Sequence, residues 1–214
     1  SDYAEIKKYC DKLKIEFLCT PFDIKSVDQL EELNVQRYKV SSADLVDMPL
    51  HKKIISTRKP VILSTGMANI KEIKKTVEYY KKSRMRRITL LHCVSNYPCS
   101  IKSLNLNVIP KLKKIFNLPV GFSDHSVGNN AAIMAVGFGA TIIEKHFTTD
   151  KKLPGADHFM SMNPKEFSTY VTSIRDAEKQ LGSDKKKVQR EEKKFIIFAR
   201  KSITLRKLMK RGDS

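Results

Sequence analysis

Six short apolar, β-prone segments recur along this chain, and each ends in polar residues able to do chemistry. They are Ile15–Thr20, Tyr38–Ser42, Pro60–Thr65, Ile88–Cys93, Val120–His125 and Thr141–His146. Between them lie stretches whose apolar residues repeat at helical spacing. That alternation describes βα units, and parallel βα units gather the C-terminal ends of their strands on one face. A row of Thr, Lys, Ser, His and Glu at those ends is therefore expected to line a single pocket. The chain reads as an α/β enzyme rather than a scaffold.

Helices are expected over residues 2–13, 27–34, 70–82, 107–116 and 129–138, and from Pro164 to Leu181. Ser26 with Gln29 reads as a capping box for the second of these, and Asn69 as the cap of the third. Pro164 suits a first helical position and Gly182 a helix stop. Beyond it come a charged stretch, 183–195, and a β-like piece, Ile196–Ile203.

Six βα units do not close an eight-stranded barrel. Two architectures remain: an open doubly wound sheet, or a TIM-type (β/α)8 barrel whose first two units are absent from this chain. The sequence opens inside a helix with no strand ahead of it, and no G-x-G-x-x-G follows any strand. Both points favour the incomplete barrel, occupying residues 1–182, with 183–214 as a charged linker.

The formal charge of +18 invites a nucleic-acid reading. The lysines fall on helix surfaces and near the C-terminal end, however, with no aromatic residues interleaved as a base-stacking platform requires. Neither nucleic acid nor membrane is an expected partner, since no apolar run approaches the ~20 residues of a bilayer span. The opening Ser-Asp-Tyr-Ala-Glu-Ile does not read as a signal peptide. Cys10, Cys19, Cys93 and Cys99 form no C-x-x-C pair and suit free thiols in a reducing cytoplasm.

Three kinds of group collect at the strand ends. Lys39, Ser42, Ser64, Thr65-Gly66 and Ser123 suit a phosphate or carboxylate, whose oxygens hydroxyls and one lysine can satisfy. Any one of these hydroxyls alone would be an ordinary turn or cap former; their recurrence at matching positions points to a pocket. His125 and His146 end consecutive strands, so their rings can converge on one cation with open positions left for substrate. Glu144, two residues before His146, points to the same face. His92 ends a strand too, and a lone strand-end histidine is more often structural. Asp44, Tyr97 and Asp157, the last in a Pro-Gly-Ala-Asp-His loop, can recognise hydroxyls, although either aspartate can equally cap a helix. Asp124 reads as a cap.

With these residues in view the chain resembles the N-acetylneuraminate (sialic acid) synthase family. The resemblance rests on Phe17-Leu18-Cys19-Thr20-Pro21-Phe22-Asp23, Tyr38-Lys39-Val40-Ser41-Ser42-Ala43-Asp44, Ile62-Leu63-Ser64-Thr65-Gly66-Met67 and Leu91-His92-Cys93-Val94-Ser95-Asn96-Tyr97-Pro98, followed by Gly121-Phe122-Ser123-Asp124-His125-Ser126, Ile143-Glu144-Lys145-His146-Phe147-Thr148 and Leu153-Pro154-Gly155-Ala156-Asp157-His158. They stand in family order across roughly residues 5–205. The resemblance implies condensation of phosphoenolpyruvate with an N-acetylated amino sugar, N-acetylmannosamine first, with loss of phosphate and help from Mn²⁺ or Mg²⁺. It implies His125 and His146 as metal ligands, and Thr20, Lys39, Ser42, Ser64, Ser95, Tyr97 and Ser123 as the phosphoenolpyruvate pocket. Asp44, Glu144 and Asp157 would meet the acceptor sugar, with Glu144 and Asp44 closest to the chemistry. Legionaminate and pseudaminate synthases are the near alternatives. Family members also carry two earlier βα units and a C-terminal antifreeze-like domain that covers a partner's site in a homodimer. The resemblance therefore implies that these 214 residues alone are inactive.

Overall fold

The computed structural model describes residues 2–204 and 206–212; Ser1 and, within the stretch read as a linker, residues 205, 213 and 214 lie outside the described residues. The chain divides into two units, Ser1–Leu181 and Gly182–Ser214. The first is an α/β unit built on five parallel strands in sequential order: β1 (Tyr38–Val40), β2 (Val61–Ser64), β3 (Ile88–Cys93), β4 (Val120–Asp124) and β5 (Ile143–Lys145). These strands and their helices form a half-barrel.

The helices are α1 (Asp2–Lys12), α2 (Ile24–Glu32), α3 (Met48–Ser56), α4 (Ile70–Lys82), α5 (Val108–Phe116), α6 (Asn130–Gly137), α7 (Pro164–Leu181) and, in the second unit, α8 (Lys193–Ala199). Local chemistry explains their ends. Asn69 accepts from the backbone of Lys71 and Glu72 while Glu72 accepts from Asn69 N, a complete capping box worth about 1 kcal/mol. Asp47 caps α3 through Leu50 N, with Pro49 in its first turn. At the other end of α7, Gly182 adopts the left-handed φ of 54° that lets the chain leave.

Three expectations need correction. Ile15–Thr20 is extended but joins no ladder; Phe17 and Cys19 pack against the core while the outer edge of β1 stays unpaired among the described residues. Ile15 and Leu18 stay exposed, so the segment is only partly packed, and five strands replace six among the described residues. The cap of α2 is Asp23, which accepts from Ser26 N, so the helix starts three residues before the expected position. The Ile196–Ile203 piece is not β: Ile196 lies inside α8, because i to i+4 bonding needs no partner strand whereas a ladder does.

Strand register separates two faces. Tyr38, Val40, Val61, Leu63, Ile88, Leu90, Val120 and Phe122 are buried against the helices and form the main core. Burying each such side chain is worth roughly 1.5–3 kcal/mol. Residues of the opposite parity, among them Lys39, Ser64, Cys93, Ser123 and Glu144, share the other face. His51 and His92 lie on the helical side. His51 is bonded to Tyr80 Oη and Leu45 O, and His92 Nε2 to Leu104 O at 2.7 Å, so both are structural.

Gly121 is required where β3, β4 and the approach to β5 come closest. A Cβ there would strike the Ile142 carbonyl and stand 2.6 Å from Leu91 Cδ2. Gly121→Ala is expected to destabilise the protein by about 1–3 kcal/mol, as overpacking does; an unchanged urea midpoint would contradict this close approach.

Candidate functional site

The cross-strand ladder sets Cys93 beside Ser123 and Ser123 beside Glu144, so three polar side chains form a row across the C-terminal ends of β3, β4 and β5. Ser123 Oγ donates to Glu144 Oε1 at 2.7 Å, and the other carboxylate oxygen lies 3.3 Å from Lys39 Nζ. Lys39 reaches across from β1, so this pair spans the open face of the half-barrel. The Lys39 and Glu144 side chains keep 16% and 34% of their exposure, which leaves both groups accessible to a ligand.

Just beyond the last rung stand the two histidines. Their ring centroids are 5.2 Å apart at 67°, and the Tyr97 ring lies 4.2 Å from His125 and 5.6 Å from His146. His125 Nδ1 is 2.9 Å from Val94 O. A carbonyl only accepts, so Nδ1 carries the proton and Nε2 of the neutral ring keeps its lone pair; the Ser123 hydroxyl, whose proton goes to Glu144, does not occupy it. Across the gap, His146 Nδ1 faces Asp157 Oδ2 at 3.8 Å. Two imidazoles on neighbouring strand ends, one already oriented by a carbonyl, are a donor set that fits a divalent cation with open positions. Among the described residues no group of three or more His, Cys, Asp or Glu converges in this way.

The titration of the two rings diverges. Burial pulls both pKa values down. At His125 it is outweighed by the bonds to Cys93 and the Val94 carbonyl and by the negative charge of Cys93 and Glu144, which hold it above its ordinary value of 6.5. At His146 burial and the neighbouring His125 charge keep it below 6.5. Burial raises the Cys93 thiol, yet hydrogen bonds from His125, Ser42 and Ser123 together carry it below its usual value.

A hydroxyl cradle adjoins this cluster. Gly66 N donates to Ser42 Oγ at 3.0 Å. A Cβ on Gly66 would collide with Ser95 Oγ, and would stand 2.8 Å from Ser42 Oγ and 3.1 Å from Cys93 Sγ. Only glycine leaves this space open. Ser64 Oγ, on the same face, is buried and has no hydrogen-bond partner among the described residues. Thr65, by contrast, donates to Leu91 O and serves the backbone.

Of the residues singled out in the sequence, Lys39, Ser123, Glu144, His125, His146, Tyr97 and Asp157 form one connected group, and Ser42 and Ser95 meet beside Cys93. Asp44 and Thr20 are not joined to either by a hydrogen bond or ion pair among the described residues. Asp44 sits in a 3-10 turn, Ala43–Val46, and accepts from Ser41 Oγ. Thr20 lines a separate cavity of about 790 Å³ with Tyr3 and Phe22. Sequence reasoning passed over Cys93 as a site component, although its parity with Ser123 and Glu144 was the available signal. It named Thr65-Gly66 among the anion-binding candidates, and of that pair the cradle involves Gly66.

A model of the NeuB family matches residues 1–186. An uncharacterised protein of Methanocaldococcus jannaschii is 46% identical over 212 residues, covering 99% of this chain and 63% of its own length. The N,N'-diacetyllegionaminic acid synthase of Legionella pneumophila is 42% identical over 215 residues, covering 99% of this chain and 60% of its own. Among solved structures, the N-acetylneuraminic acid (sialic acid) synthetase of Leptospira borgpetersenii superposes with a TM-score of 0.85 at 37% identity, covering 92% of this chain and 68% of that one. The chain thus spans about three-fifths of the length of these curated relatives.

The opposed shifts order the two titrations. As pH rises, the His146 ring in metal-free protein should lose its proton before His125. Ring-proton NMR that finds His125 titrating first would contradict the assigned hydrogen bonds.

Proposed function

The chain belongs to the NeuB family, and we propose that it is the barrel part of a synthase condensing phosphoenolpyruvate with an N-acetylated amino sugar. The observation that carries this reading is the rim on which Lys39, Ser123 and Glu144 adjoin two imidazoles 5.2 Å apart. N-acetylmannosamine is the first acceptor proposed, giving N-acetylneuraminate. A legionaminate-type acceptor is the second reading, favoured by the 42% identity to the Legionella pneumophila enzyme. In this proposal the complete protein is a cytoplasmic homodimer, and further βα units extend the half-barrel toward a (β/α)8 barrel.

Each residue then has a task. Lys39 offers a positive charge to the carboxylate or phosphate of phosphoenolpyruvate, and the Ser42–Gly66–Ser95 cradle supplies neutral donors around the remaining oxygens; the Ser64 hydroxyl, buried and without a partner among the described residues, would join them once its surroundings shift. Thr20 would close the same pocket once the barrel is complete. His125 and His146 would hold Mn²⁺ or Mg²⁺. When bound, such a cation polarises the acceptor's aldehyde oxygen. Asp157, beside His146, and Asp44 would take the acceptor's hydroxyls. Glu144, bonded to Ser123 and paired with Lys39, orients groups between the two substrates and can carry a proton there. Much of the acceleration comes from holding the enol carbon against the aldehyde carbon.

The decisive assay is mass-spectrometric detection of a nonulosonate from the complete protein, phosphoenolpyruvate, Mn²⁺ and candidate amino sugars; no product with any of them overturns the reading. His125→Ala should abolish Mn²⁺-dependent turnover, and activity retained at saturating Mn²⁺ would refute its ligand role. Gly66→Ala should raise KM for phosphoenolpyruvate by roughly tenfold or more, as loss of well-placed charge-assisted hydrogen bonds implies. An unchanged KM would remove the cradle from the pocket.

A further inference from the structure

Behind the two imidazoles, on the helix-facing side of the same strands, lies a buried charge network that the proposed chemistry does not use. Asp124 and Lys145 are opposite each other at the last rung between β4 and β5. Their side chains are 0% and 2% exposed, with Lys145 Nζ 3.1 Å from Asp124 Oδ2. Asp124 Oδ1 accepts from Ser126 N at 2.9 Å and from Ser126 Oγ at 2.6 Å, and Oδ2 accepts from the Tyr170 hydroxyl at 2.8 Å. Lys145 Nζ also donates to the Ser126 carbonyl and sits 5.5 Å from the Tyr170 ring centroid. Burial and the Asp124 charge push the Tyr170 pKa well up, so its phenol remains a donor.

The connectivity is specific. Asp124 and Ser126 flank His125, and Lys145 precedes His146. One ammonium therefore grips the chain on both sides of the first histidine while being covalently adjacent to the second. The strand ladder ends at Asp124 and Lys145, so no further rung fixes the two histidines against each other. We propose that Asp124, Lys145 and Tyr170 are positioning residues that set the spacing of the His125–His146 pair for its cation. This rests on the reading of those histidines as metal ligands.

Stability alone does not account for the network. A fully desolvated ion pair repays its dehydration poorly, and apolar replacements of similar volume often serve folding equally well. An arrangement that sets side-chain geometry on the reverse face does account for it. Outer-shell groups that orient metal ligands characteristically affect affinity when removed.

The test is direct Mn²⁺ binding by EPR titration of the complete protein, alongside thermal unfolding. Lys145→Met, the double variant Asp124→Leu with Lys145→Met, and Tyr170→Phe are each expected to weaken Mn²⁺ binding by roughly 10–100-fold. The double variant should keep a near-native unfolding temperature. If Lys145→Met fails to fold, the double variant and Tyr170→Phe, which retains the ring, decide the matter. Folded variants that bind Mn²⁺ within twofold of the unmodified protein overturn the positioning role. His146→Ala separates the two levels: lost binding there with intact binding in the network variants rejects this inference alone. Intact binding in His146→Ala rejects the ligand assignment and this inference with it.

Discussion

The period-two alternation of parallel strands held in strict register is the constraint from which the rest follows. Because Leu90 pairs with Val120 and Cys93 with Ser123, every second residue is committed to the helices and its neighbours to the opposite face. Slipping β4 by one residue would exchange Phe122 for Ser123 in the core and bury His125 among helices. The apolar set that makes the fold stable is thus the same device that keeps the polar set together. Packing and chemistry are two faces of one register.

That coupling explains the electrostatics of the rim. Glu144 is shared between a hydroxyl on the adjacent strand and an ammonium from the far edge, so its charge is partly balanced without being sequestered. The two imidazoles stand near enough to influence each other's protonation, and Cys93 and the Val94 carbonyl bias one of them only. An asymmetric pair results, in which one ring is bonded to the backbone and the other faces a loop carboxylate at 3.8 Å.

Much of the architecture was readable in the sequence because it is encoded locally. Apolar runs of four to six residues with polar ends marked the five strands, and Asn69 and Pro164 marked helix starts. Ile15–Thr20 was misread because ladder formation is a property of two segments, and one segment's composition does not disclose its partner. Ile196 carried a β-prone side chain into a helix for the same reason. At the site, parity placed Lys39, Ser123, Glu144 and the histidines on one face. It said nothing of Asp44, whose carboxylate accepts from Ser41, or of Lys145, which lies against a tyrosine 25 positions along the chain on another element. Long-range polar contacts have no periodic trace.

The Ser64 hydroxyl, sealed from solvent and without a hydrogen-bond partner among the described residues, carries a cost that the fold does not relieve. A hydroxyl stripped of water and left unanswered costs on the order of 1–3 kcal/mol. Any shift of its surroundings that lets an acceptor reach the oxygen recovers that cost. In the proposed synthase a molecule bringing an acceptor there would recover it and a look-alike without one would not, a discrimination that can exceed what the fit of an apolar surface achieves.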